Sequence, residues 1–167
     1  IVFTYKGDIF TVPSAGGKAV RLTSQESYEQ MPVWSPDSKT LVYVSRKKTG
    51  MEYALSTNSD LYAYDLANGT TRNLTEGMMG YDTLPAFSPD GNTLAWLSME
   101  HDGYESDRNR LFTLDMRTGA KEDITAKWDY TIDEFAWAPD GQSLVYVSRK
   151  LKGQDYAFST NSNLYQY

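Results

Sequence analysis

Short runs of apolar residues, separated by polar turns, recur along the whole chain. Three of these runs end in the same Pro-Asp turn, and the prolines, Pro36, Pro89 and Pro139, are spaced by 53 and 50 residues. Proline fixes φ and aspartate bonds to its own backbone, which suits a hairpin turn. Short runs rich in β-branched and aromatic residues between such turns indicate strands rather than helices. The pattern predicts a tandem repeat of short antiparallel strands.

Two further markers divide each repeat into four strands, which we label A to D in chain order. Strand A ends at the Pro-Asp turn, strand B follows the turn, and strand C begins as in Asp60-Leu61-Tyr62. Strand D ends at a Leu-Thr or Ile-Thr pair, at residues 22–23, 74–75 and 124–125. Four strands in each repeat of about 50 residues are typical of a β-propeller blade. A β-sandwich is the alternative, although sandwiches need no fixed four-strand period.

The predicted fold is therefore all-β, a partial β-propeller of four-stranded antiparallel blades with about 3.5 blades in 167 residues. The predicted divisions are a partial blade with strands B to D, two whole blades, and a partial blade with strands A to C, over residues 1–31, 32–83, 84–133 and 134–167. We expect a segment of a larger ring, or a homo-oligomer in which a second copy completes the ring, because unpaired strand edges promote association.

Two non-adjacent parts of the chain are unusually alike. Residues 37–64 and 140–167 match at a constant offset of 103, whereas the repeat between them shares only the general blade pattern. The offset corresponds to two blades, so the strand register is preserved. Recent duplication and engineering both explain this likeness.

Composition removes several classes of function. The chain has 16 basic and 22 acidic residues, a net charge of −6, which argues against a nucleic-acid partner. It has no cysteine, so disulfides, thiolate metal sites and cysteine nucleophiles are excluded. No apolar run has the length that a membrane span requires. The unusual feature that remains is the presence of 13 tyrosines.

The repeat, with its Trp34-Ser35-Pro36-Asp37 segment, resembles the blades of TolB-type periplasmic propellers. It also resembles the N-terminal propeller of prolyl oligopeptidase and dipeptidyl-peptidase-like serine peptidases. Residues 53–60, 73–82 and 99–111 are similar to bacterial members of the peptidase group. The resemblance implies a propeller that covers the active site of a separate hydrolase domain, and a periplasmic or secreted location.

No catalytic residues are predicted within the chain. It lacks the Gly-x-Ser-x-Gly elbow of α/β-hydrolases, and its single histidine, His101, lies in an acidic loop. The acidic pair with which the peptidase family grips a substrate amino terminus has no recognisable match either. We expect no cofactor and no metal, because the spacing of Asp102, Glu105, Asp107 and Asn109 does not fit a calcium loop.

Loops on one face of the propeller carry the candidate binding residues. The D-to-A and B-to-C loops share this face, and they repeatedly place a tyrosine beside an acid. The candidates are Tyr28, Glu29, Glu52, Tyr53, Tyr81, Asp82, Asp102, Tyr104, Glu105, Tyr130, Asp133, Asp155 and Tyr156. Tyrosine offers rigid contact area with a polar tip, and carboxylates favour a cation such as a peptide amine. Alternatively, the tyrosines pack between blades and the acids only solvate the loops.

The function predicted from these features is a non-catalytic propeller segment that gates or binds peptides for a hydrolase domain outside this chain. A TolB-type protein-binding scaffold and an engineered or duplicated fragment that assembles in trans are the alternatives. A propeller glycosidase would draw its carboxylates from Asp82, Asp102 and Asp133, but no spacing singles them out. The basic runs that begin at Arg46 and Arg149 are interpreted as solvated loop starts or ion-pair partners.

Overall fold

The computed structural model describes residues 1–150 and 160–167, which form four antiparallel sheets and one short helix. The first sheet contains β1 (Val2–Tyr5), β2 (Asp8–Thr11) and β3 (Val20–Arg21). The second contains β4 (Glu29–Trp34), β5 (Thr40–Ser45), β6 (Asp60–Asp65) and β7 (Thr71–Asn73). The third contains β8 (Asp82–Phe87), β9 (Thr93–Ser98), β10 (Arg110–Asp115) and β11 (Lys121–Asp123). The fourth contains β12 (Ile132–Trp137), β13 (Leu144–Ser148) and β14 (Asn163–Gln166).

Within each sheet the strands are neighbours in chain order, so each sheet is an antiparallel meander. The first strands of successive sheets lie next to one another, since β4 contacts β8 and β8 contacts β12. Two four-stranded sheets stand between two three-stranded ones. This is the predicted partial β-propeller of four-stranded blades, and the fold class is confirmed.

The first strand of each blade begins earlier than the sequence pattern predicted. In the second sheet, Glu29 and Gln30 pair with Ser45 and Val44, and the register then shifts before Val33. Such a β-bulge breaks the alternation of buried and exposed residues, so the segment reads as a loop in the sequence. The divisions after residues 31, 83 and 133 consequently fall inside β4, β8 and β12.

A helix, α1 (Gly50–Leu55), occupies the connection between β5 and β6. This helix was not predicted from the sequence, because six residues are too few to show a helical period. None of its residues is buried. Among the described residues, no helix is long and apolar enough to cross a membrane.

The hydrophobic core lies between the sheets, not within any one of them. Val44 and Leu61 of the second sheet pack in one cluster with Leu94 and Trp96 of the third. Because the inner strands of a blade face neighbours on both sides, β5 reads as an unbroken apolar run, and five of its six residues are buried. Burial of this apolar surface between neighbouring blades is what holds consecutive repeats together.

The Leu-Thr markers of the sequence have a structural cause that repeats in three blades. Each threonine hydroxyl accepts a hydrogen bond from a backbone amide of the adjacent strand C. The donors to Thr23, Thr75 and Thr125 are the amides of Ile9, Leu61 and Leu111, at 2.9, 3.0 and 2.9 Å. The acceptor satisfies an amide that the short strand D leaves without a ladder partner, and a buried amide without a partner is costly.

Candidate functional site

A cleft of about 400 Å³ opens on the loop face, between the second and third sheets. It is formed by the starts of β4 and β8, the ends of β5 and β9, and the loops that follow them. The residues that line it are Tyr28, Gln30, Val44, Ser45, Arg46, Tyr53, Thr57, Ser59, Tyr81, Met99 and Glu105. Four of these, Tyr28, Tyr53, Tyr81 and Glu105, are among the candidates that the sequence predicted.

Tyrosines form much of the cleft wall, and neighbouring groups hold two of them in place. The Tyr28 ring lies against Gly7, where an added Cβ would approach its Cδ1 atom to 3.0 Å. Tyr28 nevertheless keeps 57% of its surface exposed. The Tyr53 ring is stacked on the Arg46 guanidinium, with 4.2 Å between Cζ and the ring centroid. These contacts restrain the two rings, which remain partly exposed to solvent.

Arg46 is a cleft residue that was not predicted as a candidate from the sequence. Its Nη1 donates a hydrogen bond to the backbone carbonyl of Ser56 at 2.6 Å, which anchors the guanidinium at the cleft. No acidic side chain lies within ion-pair distance of it in the described part of the chain. Arg46 therefore begins the loop after β5 as predicted, partly exposed and without an ion pair to the described residues. Its position directly after strand B, repeated at Arg149, was the available signal.

Asp102 joins the two long loops that form opposite sides of the cleft. Its carboxylate accepts hydrogen bonds from the Ser56 hydroxyl at 2.8 and 2.9 Å and from the amides of Thr57 and Asn58 at 2.7 and 3.0 Å. Partial burial alone would raise the pKa of Asp102, but these hydrogen bonds lower it below its ordinary value. The carboxylate is thus engaged by the protein and does not line the cleft.

Two other predicted acids, Glu29 and Asp82, are buried at the starts of β4 and β8. Both were expected in surface loops, and that expectation is wrong. Burial raises the pKa of Asp82 to about 6, although its Oδ1 accepts a hydrogen bond from the Trp96 indole at 3.2 Å. Burial also raises the pKa of Glu29, and the Lys47 ammonium opposes part of this shift. Neither acid presents a carboxylate to a ligand on the surface.

The remaining candidates lie away from the cleft wall. Glu52 is exposed on α1, beside a depression of about 350 Å³. Tyr104 is 58% exposed, and its ring meets the His101 ring edge-on at 6.5 Å. Tyr130 stacks on Trp128 at 5.0 Å in the last part of the chain.

Asp133 lies on the strand β12, where its side chain is exposed and not in the loop where it was expected. The Ser162 hydroxyl donates a hydrogen bond to it at 3.5 Å. Asp155 and Tyr156 lie outside the described residues.

His101 is held by one carboxylate. Its Nδ1 lies 2.8 Å from Asp107 Oδ2, and the ring remains largely exposed. Slight burial would raise the pKa of Asp107, but hydrogen bonds from His101 and nearby amides bring it to about 2. The described residues contain no group of three or more acids and histidines positioned to hold a metal ion.

The cleft therefore combines several of the predicted tyrosines with fewer carboxylates than the loop sequences indicated. One guanidinium and one carboxylate, those of Arg46 and Glu105, line it together with phenol groups and two apolar side chains, Val44 and Met99. An arrangement of this kind can contact the apolar and polar parts of an extended polar ligand at the same time.

The chain was compared with protein families, with curated proteins and with solved structures. No protein-family model matches the chain. Dipeptidyl-peptidase 5 of Porphyromonas gingivalis is 55% identical over 117 residues, which is 70% of this chain and 17% of that protein. TolB from Acinetobacter baumannii superposes with a TM-score of 0.65 at 21% identity, over 96% of this chain and 34% of that one. Dipeptidyl peptidase 4 of P. gingivalis gives a TM-score of 0.63 at 14% identity, over 89% and 28%.

These likenesses carry different weight. The two structural matches are below 25% identity and show the fold alone. The match to dipeptidyl-peptidase 5 is much closer in sequence, although the chain spans only 17% of that protein's length. The resemblance to dipeptidyl-peptidase-like propellers that the repeat motifs indicated is confirmed. We therefore identify the chain as a peptidase-like β-propeller segment.

Proposed function

We propose that this propeller segment binds peptides in the cleft between its second and third sheets. The observation that carries the proposal is the cleft itself, which Tyr28, Tyr53 and Tyr81 line together with Arg46. Rigid tyrosine rings supply contact area at low entropic cost, and their hydroxyls suit the polar backbone of a peptide. A volume of about 400 Å³ accommodates a short peptide segment.

Similarity to a dipeptidyl-peptidase supports a peptide over other ligands. We assign bond cleavage to a hydrolase domain of the parent protein, to which the propeller admits or presents peptides. Within the described residues, the one hydrogen-bond partner of the His101 ring is Asp107, so no serine is activated there. The purified chain should not turn over dipeptidyl substrates, and turnover abolished by a serine-directed inhibitor would contradict this assignment.

Peptide binding is tested with one tetrapeptide, Ala-Phe-Ala-Ala, prepared in four forms. The forms have both ends free, only the carboxyl end free, only the amino end free, or both ends blocked. Each is titrated into the purified protein by NMR, and the dissociation constant is obtained from amide shifts. The proposal expects saturable shifts in at least one form, centred on the residues that line the cleft.

Two tyrosines of nearly equal exposure provide a matched pair of variants. Tyr28 lines the cleft and is 57% exposed, whereas Tyr104 does not line it and is 58% exposed. We expect Y28A to weaken binding by about tenfold and Y104A to leave it unchanged, because an aromatic contact is lost only in the first. If no form of the peptide binds, or if both variants lose affinity equally, peptide binding in this cleft is wrong.

A further inference from the structure

We propose that the ligand binds this cleft through a carboxylate, which the Arg46 guanidinium recognises. This inference rests on the proposed function and specifies its ligand. It reverses the expectation from the loop sequences, in which carboxylates on this face would favour a peptide amine.

Few of the predicted acids can meet a ligand in the cleft, since the exposed Glu52 and Asp133 lie away from its wall. Asp102 is engaged by the hydroxyl and amide groups of the neighbouring loop. Glu29 and Asp82 have no exposed surface. Glu105 is the one carboxylate among the residues that line the cleft. A ligand amine would therefore meet a guanidinium as well as a single carboxylate.

Arg46 is oriented in advance for an anion. The hydrogen bond from Nη1 to Ser56 and the stacking on Tyr53 fix the position and the plane of the guanidinium. Nε and Nη2 donate to no group in the described part of the chain. Parallel N–H donors of a fixed guanidinium match the two oxygens of a carboxylate, and such charge-assisted pairs are about twice as strong as neutral hydrogen bonds.

The position of Arg46 also favours a ligand anion over an internal one. It follows directly after Ser45, the last residue of β5, so the backbone beneath it belongs to a rigid buried strand. No acidic side chain of the described residues pairs with it, although the chain carries a net charge of −6. In an acidic protein, an arginine held at a cleft without an acidic partner is suited to bind a carboxylate from outside.

A peptide can supply this carboxylate from its carboxyl terminus or from an Asp or Glu side chain. The four forms of Ala-Phe-Ala-Ala test the terminus, and doubly blocked Ala-Phe-Glu-Ala tests the side chain. We expect the peptides that carry a carboxylate to bind at least about tenfold more tightly than doubly blocked Ala-Phe-Ala-Ala. The form with only a free amine should bind no more tightly than the doubly blocked peptide. Tight binding of one carboxylate source alone identifies that source.

Variants of Arg46 link the preference to this side chain. R46Q should abolish the preference for a carboxylate. R46K should retain part of this preference, because lysine keeps the charge but lacks the planar pair of donors. The control is R72Q, which removes the same charge from the exposed outer strand β7. Circular dichroism melting of all three variants verifies that they fold.

The outcomes separate this inference from the proposed function. Equal binding of carboxylate and amide forms, with loss of affinity in Y28A, overturns the carboxylate inference and leaves peptide binding intact. Preference for the free-amine form also overturns it, as does a carboxylate preference that survives in R46Q. Absence of binding by every peptide overturns both.

Discussion

The Asp102 carboxylate accepts hydrogen bonds from the Ser56 hydroxyl at 2.8 and 2.9 Å, and it thereby joins loops of two adjacent blades. A second bond in the same place runs from the Gly103 amide to the Thr57 hydroxyl at 2.8 Å. The Ser56 carbonyl also accepts the hydrogen bond from Arg46, so the connection between the two loops and the anchoring of Arg46 depend on the same residue. The loop connection therefore helps to position the guanidinium.

Substitution D102N should weaken this connection between the two loops. The asparagine side chain has one carbonyl oxygen in place of two charged ones, so the amides of Thr57 and Asn58 lose charge-assisted acceptors. We expect amide exchange at these two residues to accelerate by about tenfold and peptide affinity to fall several-fold. Hydrogen exchange followed by NMR measures the first effect. The control E52Q neutralises an exposed acid nearby. Equal amide exchange rates in D102N and E52Q would show that Asp102 does not hold this loop.

Substitution D82N should change how stability depends on pH. Because the pKa of Asp82 is raised to about 6 in the folded state, the fold favours the neutral carboxyl. This favourable contribution is complete below the unfolded pKa of about 4 and is lost as pH rises through about 6. The stability of D82N relative to the unmodified protein should therefore increase by about 2 kcal/mol from pH 4 to pH 8.

Urea denaturation across this pH range provides the measurement for D82N. The control is D133N, in which the exposed aspartate of β12 is neutralised. The interpretation of Asp82 fails if the two variants follow the same pH profile, because the effect would then reflect net charge and not burial.

Substitution T75V should destabilise the second blade. It keeps the shape of a fully buried side chain but removes the oxygen that accepts the Leu61 amide at 3.0 Å and donates to Asp60 Oδ1 at 3.1 Å. An unsatisfied buried amide costs about 1–3 kcal/mol, and the free energy of unfolding should fall by that amount. Thr49 is exposed and makes no side-chain cap bond to α1, so T49V is the control. Equal stabilities of the two variants would show that the repeated Thr contact is dispensable.

The Pro-Asp turns predict opposite effects of two glycine exchanges. Ser38 has φ of 60°, in the region where glycine stands in the equivalent turns, for example Gly91 at φ of 75°. S38G should raise the free energy of unfolding by about 0.5–1 kcal/mol, because glycine adopts this conformation without strain. G91A should lower it by about 1 kcal/mol or more, since its Cβ would also lie 3.2 Å from Pro36 Cδ. If the melting temperatures of S38G and G91A shift in the same direction, this explanation of the turns is wrong.

Most of the fold was predictable because its signals are local. The turn at Pro89-Asp90 depends on residues within a few positions of each other, as the 2.6 Å bond from the Ser88 hydroxyl to Asp90 illustrates. Strand B was evident because burial on both faces produces an unbroken apolar run. The bulge between Thr83 and Ala86 was not predictable from alternation, because a bulge interrupts alternation.

The candidate site was only partly predictable. Tyr28 and Tyr81 were identified because loops of one face could be assigned from the strand order alone. The roles of Arg46, Asp82 and Asp102 could not be assigned in this way, since they depend on which groups the folded chain brings close to them. A carboxylate has the same letter in the sequence whether it is buried, hydrogen-bonded to a loop or exposed.

The sequence by itself determined the blade repeat, the all-β propeller fold and the face that carries the long loops, because turn chemistry and apolar runs act over short distances along the chain. Only the tertiary structure decided which charges reach the cleft. Burial removes Glu29 and Asp82 from the surface, and hydrogen bonds engage Asp102. Arg46 is left at the cleft without an acidic partner among the described residues, so an acidic chain presents a cationic group there. Packing between blades, which composition does not specify, is the physical reason.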